Sequence, residues 1–438
     1  MVDEEKREHW TNALAFVIAS IGSAVGLGNI WRFPYIMGQH GGVSFLVPYI
    51  ACLILIGFPF MLLEFGAGRY FAASLPSVFR KLKLPAWLGW IPVAFCTIIL
   101  SYYLVVTSWT LMFAVLYAVR GSVGMGHITE SYLPFVFFLI TAVLIAVVDA
   151  AGVKRGLEKA NIVLLPLLFA SLALLACVAL SLPGTAEKLA DYARSSFSFE
   201  GALNANTWLY ALSQAIFSLS IGYGILLTYG SYLDKRTDIT KSSVLIMLGD
   251  FAVSIVASVF IFSLAFYGNV APESGFALAF ATIPHLFASI PFGNIFGTLF
   301  FLLLFAAAFT SSLSMFEVPV AAFIDEQKKS RKNATRLAFA VIVLLAIPSL
   351  LSYSPLALNL GSMPVLDALD LIFGSMLAPI SALIVCVGIA WFWKNGSFVG
   401  ELGIKNEIPR KILEFSVKWE MPIVMMFLFV LGITSGSG

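Results

Sequence analysis

Charged side chains are scarce in this 438-residue chain: Asp, Glu, Lys and Arg together make up 11%, against roughly 25% in ordinary soluble domains. Hydrophobic residues reach 60%, more apolar surface than a globular core can bury, which excludes a water-soluble fold and leaves the bilayer as solvent. There are only four cysteines. Cys52, Cys96, Cys177 and Cys386 each stand alone in an apolar run, which excludes a disulfide framework and reads them as small buried hydrophobes. The four histidines, His9, His40, His127 and His285, are scattered. No His-Glu-x-x-His, Gly-x-Ser-x-Gly or Cys/His cluster occurs, so a membrane-embedded enzyme is only a remote alternative. The net charge of +2 gives no footing for nucleic acid. No Ser/Gly-rich or charged tract is long enough to be a linker, so one integral domain over 1–438 is expected. Met1–Trp10 lacks the small-residue cleavage site of a signal peptide.

What the chain does have is a succession of apolar runs, each near the ~20 residues that a spanning helix needs. Hydropathy places eleven of them, at about 11–37, 43–70, 87–119, 132–152, 160–183, 206–232, 241–268, 293–324, 335–353, 363–393 and 411–435. Glu273–Pro291 is mildly apolar but broken by Pro272, Pro284 and Pro291, and reads as a re-entrant or lid-like hairpin. Basic residues gather on one set of alternate connections: Lys6–Arg7, Arg69–Lys83, Lys154–Lys159, Lys235–Lys241, Lys328–Arg336 and Lys394–Lys411. Only Arg120, Lys188 and Arg194 fall on the other set. The positive-inside rule then places the N-terminus in the cytoplasm and, with an odd span count, the Gly-Ser C-terminus outside.

Two spans carry a fault at mid-depth. The first contains Gly22-Ser23-Ala24-Val25-Gly26-Leu27-Gly28-Asn29, and the sixth contains Ser218-Leu219-Ser220-Ile221-Gly222-Tyr223-Gly224. Each Gly weakens a helix by about 1 kcal/mol relative to Ala. Inside a bilayer, bare peptide groups persist only where they line a cavity. Faults five spans apart are the pattern of two inverted repeats around a midplane binding site; packing glycines are the competing account. A half-helix N-terminus suits a carboxylate and a half-helix C-terminus suits a cation, which together point to an amino acid moving with Na⁺.

The residues around these faults carry a resemblance. Arg7-Glu8-His9-Trp10, the run Gly22–Gly28, and Asn29-Ile30-Trp31-Arg32-Phe33-Pro34 resemble the opening of the neurotransmitter:sodium symporter family, above all its prokaryotic amino-acid transporters. The likeness continues through Gly68-Arg69-Tyr70, Ser101-Tyr102-Tyr103, Gln214 to Tyr232, Thr310-Ser311-Ser312 and Asp367 to Asp370, over nearly the whole chain. It implies the all-α leucine-transporter fold: eleven transmembrane helices, repeat one at about 11–183, repeat two at about 206–393, and an extra helix at about 411–435. It also implies a first sodium site from the Ala24 carbonyl, Asn29, Ser218 and Asp250. A second would use the carbonyls of Gly22, Val25 and Ala307 with the hydroxyls of Thr310 and Ser311, an all-oxygen set suited to a hard cation. The implied substrate contacts are Ser23, Ala24, Leu27, Gly28, Tyr103, Phe217, Ser218, Ser220, Tyr223, Ser311 and Met315. Tyr103 would donate to the carboxylate, and Phe217 would cover the pocket. Arg32 and Asp370 would form an outer gate, and Arg7 and Asp325, with Trp10 and Tyr232, an inner one.

At one point the chain departs from the family pattern. Asp250 stands where many relatives have Asn, and Ser254 where some bacterial members have an acid. Chloride-using members bind the ion near positions matching Tyr49, Gln214, Ser218 and Ser254. A fixed charge on Asp250 is expected to make transport chloride-independent and to carry a proton on the return step. Ile99, Tyr223 and Met315 are bulky, which suits a small or medium neutral amino acid. A proton-coupled or exchanging relative of the same fold remains the alternative. The expected setting is a prokaryotic plasma membrane, as monomer or dimer.

Overall fold

The computed structural model describes residues 7–121, 123–270, 280, 282–393 and 398–435. Residues 1–6, the Gly-Ser tail 436–438, Lys394 and most of the expected hairpin, including Pro272 and Glu273, lie outside the described residues. Of that hairpin, Ile283–Phe287 is a short helix.

The spans fall where hydropathy placed them. We label them α1 (Ala13–Ala24) and α2 (Gly28–Gln39), a pair bent by 55°, then α3 (Gly42–Phe71), α4 (Ala86–Arg120), α5 (Leu133–Ala150) and α6 (Val153–Ser181). The next are α7 (Ala205–Ser218) and α8 (Ile225–Gly230), two short helices separated by an irregular turn. They are followed by α9 (Ile239–Tyr267), α10 (Gly293–Gln327), α11 (Arg331–Ser352), α12 (Val365–Ala390) and α13 (Glu407–Gly432). Among the described residues nine helices are long and apolar enough to cross a membrane, and the bent α1–α2 pair makes a tenth. The α7–α8 pair falls outside that count because its break, residues 219–224, is longer than the one between α1 and α2. The fold is all-α apart from one two-residue antiparallel pairing, Asn359–Leu360 with Met363–Pro364.

Starts and stops have local causes. Asn12 caps α1 by accepting from Ala15 N–H at 2.9 Å, and Asp238 caps α9 by accepting from Lys241 N–H at 3.0 Å. Widened π-type turns interrupt several spans, among them Gly28–Arg32 and Asp370–Met376. Such turns concentrate at functional sites, and each of these two contains one member of the expected outer gate. Cys52, Cys96 and Cys386 are buried as expected, but Cys177 is exposed on its helix. Its run is apolar because it faces the bilayer, which hydropathy cannot tell from protein interior.

Candidate functional site

Both faults are real breaks. After α1, Val25 turns to extended backbone (φ −73°, ψ 107°). After α7, Ser220, Gly222 and Gly224 have φ of 56°, 82° and 77°. Glycine takes that left-handed region freely, whereas Ser220 holds it at a cost. The second break is fastened on two sides. Ser381 of α12 donates to the Gly222 carbonyl at 2.6 Å, and Glu64 of α3 accepts from Gly222 N–H at 3.3 Å. Glu64 is fully buried. It bonds the irregular turn between α7 and α8 from the interior of α3.

The breaks meet around a cavity of about 60 Å³. Its wall includes Ser23, Ala24, Gly28, Tyr103, Phe217, Ser218, Ser220, Tyr223, Ser311 and Met315, with Ile99 and Asn29. Of the expected substrate contacts, Leu27 alone sits elsewhere. It lines a second cavity of about 230 Å³ just outside, with Arg32, Tyr35 and Asp370. The Phe217 ring lies so close over Gly28 that a Cβ there would stand 2.6 Å from Phe217 Cε1. Tyr103 Oη accepts from Leu27 N–H at 3.4 Å, and Ser23 Oγ donates to Ser314 Oγ at 2.7 Å.

The side chains expected at the first cation site are joined directly. Asn29 Nδ2 donates to Asp250 Oδ1 at 2.6 Å, Ser218 Oγ at 3.0 Å and Ser254 Oγ at 2.9 Å. Ser218 Oγ in turn donates to Asp250 Oδ1 at 2.8 Å. Asn29 Oδ1 is turned away and accepts from Gly26 N–H at 3.0 Å, closing the first break. The oxygens suit a hard cation, but its entry requires the Asn29 amide to exchange its nitrogen for its oxygen. Tyr49 and Ser254 stand within electrostatic reach of Asp250, so its carboxylate faces the hydroxyls expected around chloride in other members. The fourth member of that set, Gln214, bonds the Gly28 carbonyl at 3.1 Å.

At the second expected site several of the oxygens lie together. Thr310 Oγ1 lies 3.0 Å from the Ala307 carbonyl. Ser311 Oγ lies 3.1 Å from the same carbonyl, 3.2 Å from that of Val25 and 3.2 Å from that of Ser23. Gly22 sits beside them: a Cβ on it would be 3.4 Å from Thr310 Cβ. Each hydroxyl back-bonds to its own helix, as serine and threonine do, leaving lone pairs that can turn inward.

The gates differ. The inner pair is closed: Arg7 Nη1 is 2.8 Å from Asp325 Oδ1, and Arg7 Nη2 donates to Ser231 Oγ at 2.7 Å. Its guanidinium lies over the Tyr232 ring at 5.1 Å, and Trp10 Nε1 donates to the Tyr229 carbonyl at 3.0 Å. The outer pair is unmade in this structure. Arg32 donates to Gln214 and covers Phe217 at 4.8 Å, while Asp370 accepts from Tyr102 at 3.0 Å. Both line the outer cavity without meeting. Sequence reasoning found the ends of this gate but missed the partners Gln214 and Tyr102. It also missed Glu317 and Arg331 beneath the inner gate, which read as an unremarked acid and a surface cation. The signal for Glu317 was available, since an acid within an apolar run needs a partner.

Comparison with known proteins agrees with this picture. The profile of the sodium:neurotransmitter symporter family matches residues 7–133 and 117–437. An uncharacterized sodium-dependent transporter of Methanocaldococcus jannaschii is 36% identical over 415 residues, 89% of this chain and 82% of that one. One of Bacillus subtilis is 31% identical over 455 residues, 99% of this chain and all of that one. Among solved structures, MhsT in complex with L-phenylalanine superposes with a TM-score of 0.86 at 34% identity, covering 97% of this chain and 99% of that one.

Proposed function

Because the chain belongs to the sodium:neurotransmitter symporter family and is a sodium-dependent, multi-pass membrane transporter rather than an enzyme, we propose that it imports a small or medium neutral amino acid together with sodium by alternating access, without requiring chloride. The observation that carries this reading is the meeting of two broken helices at one cavity. There the N-terminal turn of α2 offers N–H groups to a carboxylate, beside the Tyr103 hydroxyl. The L-phenylalanine held by MhsT supports an amino-acid cargo.

On this reading the substrate touches Ser23, Ala24, Gly28, Tyr103, Phe217, Ser218, Ser220, Tyr223, Ser311 and Met315, with Leu27 on the approach. One sodium rides with it between Ala24, Asn29, Ser218 and Asp250. A second is held by Gly22, Val25, Ala307, Thr310 and Ser311. Asp250 supplies beside the first sodium the negative charge that chloride brings elsewhere; its buried place among Ser218, Ser254 and Asn29 supports that role. The single domain then divides into the repeats 11–183 and 206–393 with a helix added at 411–435. The N-terminus lies in the cytoplasm and the C-terminus outside a prokaryotic plasma membrane. Arg7 with Asp325 opens to the cytoplasm after Arg32 and Asp370 have closed outside.

Thermal-shift screening of the twenty amino acids with and without sodium tests the core of this. A neutral amino acid should raise the melting temperature only when sodium is present. Flux into vesicles under separate Na⁺, K⁺ and H⁺ gradients then sets the symporter against its proton-coupled or exchanging alternative. Uptake driven by a proton gradient in sodium-free buffer would refute the reading. Uptake that vanishes when gluconate replaces chloride would remove the role given to Asp250.

A further inference from the structure

Beneath the inner gate, three carboxylates converge on one guanidinium. Glu317 of α10 takes Arg331 with both oxygens, at 2.8 Å from Nη2 and 2.9 Å from Nη1, and also accepts the Tyr232 hydroxyl. Glu8 on the N-terminal segment stands 2.7 Å from Arg331 Nε and accepts from Val153 N–H. Asp149, in the last turn of α5, is fully buried. Its Oδ2 accepts from Thr335 Oγ1 at 2.7 Å, and its backbone carbonyl accepts from Arg331 Nη1 at 3.0 Å. Its Oδ1 stands 3.8 Å from that nitrogen and has no hydrogen-bond donor.

The charges here do not balance if every acid is ionised. Glu317 and Glu8 already outnumber the single guanidinium, and Arg7 is committed to Asp325. The remaining neighbours bring no further cation. Tyr232 is a neutral donor, α4 carries no charged residue between Ala86 and Val119, and Lys154 and Arg155 of the adjoining turn are exposed. Glu158 bonds Thr11 N–H on the N-terminal segment. An ionised Asp149 would be a third anion sharing that guanidinium, fully buried and with one oxygen that accepts no hydrogen bond, and burying a charge so incompletely paired is costly. A proton removes that charge. It also turns Oδ1 into a donor toward Glu317, whose carboxylate lies in hydrogen-bonding range of Asp149. Two carboxylates this close resolve their repulsion by keeping one proton between them.

We propose that Asp149 is a proton-binding site, loaded while the cytoplasmic path is shut and emptied as it opens. This rests on the reading of Arg7 and Asp325 as the inner gate. A cavity of about 330 Å³ lined by Arg7, Glu8, Tyr232, Asp325 and Arg331 lies against the cluster. When the N-terminal segment withdraws, Glu8 leaves Arg331 and water enters. The guanidinium then shares its charge with Asp149, and the proton passes from the carboxyl oxygen to cytoplasmic water. The sign follows: a higher cytoplasmic pH favours the open inner path, and a lower one holds it shut.

The test uses the full-length protein in two measurements. Infrared difference spectra across a pH titration should contain the carbonyl stretch of a protonated, buried carboxylic acid. That band should be lost in Asp149→Asn and shifted in frequency, but kept, in Thr335→Val, which deletes one donor and leaves the proton. Spin-label distances between His9→Cys and Lys405→Cys, in sodium-free buffer and a Cys177→Ser background, should lengthen as pH rises. In Asp149→Asn they should stay short at every pH. A band and a pH response that both survive Asp149→Asn overturn the proposal, and so does a band that Thr335→Val leaves unmoved. The gate reading fails separately, if Asp325→Ala leaves the sodium-free distance unchanged.

Discussion

Replacing Gly222 by alanine isolates what holds the second break in place. Gly222 has a φ of +82°, and a Cβ added there would stand 2.4 Å from Ala382 Cα and 2.5 Å from Ala382 Cβ on α12. The left-handed backbone costs a non-glycine residue roughly 1–2 kcal/mol, and overpacking against a fixed backbone adds roughly 1–3 kcal/mol. Together they predict a loss of about 2–5 kcal/mol. Two other glycines separate these contributions. Gly184 has a φ of +76° with nothing within 4 Å of its added Cβ, so Gly184→Ala should lose only the backbone part. Gly124 has neither constraint, and Gly124→Ala should be neutral or slightly stabilising. Thermal inactivation of the purified protein, followed as the surviving monodisperse fraction, should rank Gly124→Ala at or above the wild type, then Gly184→Ala, then Gly222→Ala. Because Gly222 is also tied to Ser381 and Glu64, its variant should lose more of the sodium-dependent stabilisation by amino acid than Gly184→Ala does. If Gly222→Ala melts like Gly184→Ala, α12 yields freely and the claim that close packing fixes this break is wrong.

Other consequences are quicker to state. Arg7→Ala removes charge-assisted hydrogen bonds to Asp325 and Ser231, each worth roughly 1.5–3 kcal/mol. A cysteine placed at the buried Ser74 should then react with a cytoplasmic-side thiol reagent at least about tenfold faster, and an unchanged rate would refute the inner gate. Thr310→Val keeps the shape but deletes one hydroxyl of the second expected site, so the sodium concentration giving half-maximal thermal stabilisation should rise about tenfold, on the order of one lost hydrogen-bonding oxygen. His40, between α2 and α3, stacks on Tyr210 at 3.5 Å, and burial lowers its pKa from the ordinary 6.5. A base whose folded pKa lies below its unfolded one stabilises fully above the unfolded value and less as pH falls through the folded one. The melting temperature should therefore drop below about pH 6.5, and His40→Phe, which keeps the stack, should flatten that drop.

Much of this arrangement was legible in the sequence because the bilayer imposes two hard conditions, enough apolar length to cross and no bare peptide group facing lipid. The spans followed from the first condition, and the breaks near Gly26 and Gly222 from the second. What hydropathy cannot encode is which side chains meet across helices. Arg331 reads as one more cytoplasmic cation, yet its guanidinium is wrapped by Glu317, Glu8 and the Asp149 carbonyl. Leu27 belongs to a motif of which Ser23, Ala24, Gly26, Gly28 and Asn29 line the first cavity, yet it lines the outer one. Nothing in the sequence names the partners that Arg32 and Asp370 hold here, Gln214 and Tyr102. The orientation of the Asn29 amide had no sequence signal at all, because it depends on Gly26 offering its N–H.

The unmade outer pair bears on how evenly the transporter is poised. To come together, Arg32 has to release Gln214 and the face of Phe217, and Asp370 has to release the Tyr102 hydroxyl. On the proposed gating, closure would exchange one set of polar contacts for another, and its free-energy difference would be smaller than that of an ion pair formed from nothing. A switch so nearly level can be tipped by a ligand whose affinity for the two states differs by only a few kcal/mol. The arginine's temporary partner, Gln214, also grips the carbonyl of Gly28 at the rim of the pocket, so whatever settles against that rim is felt at once by the residue that must let go.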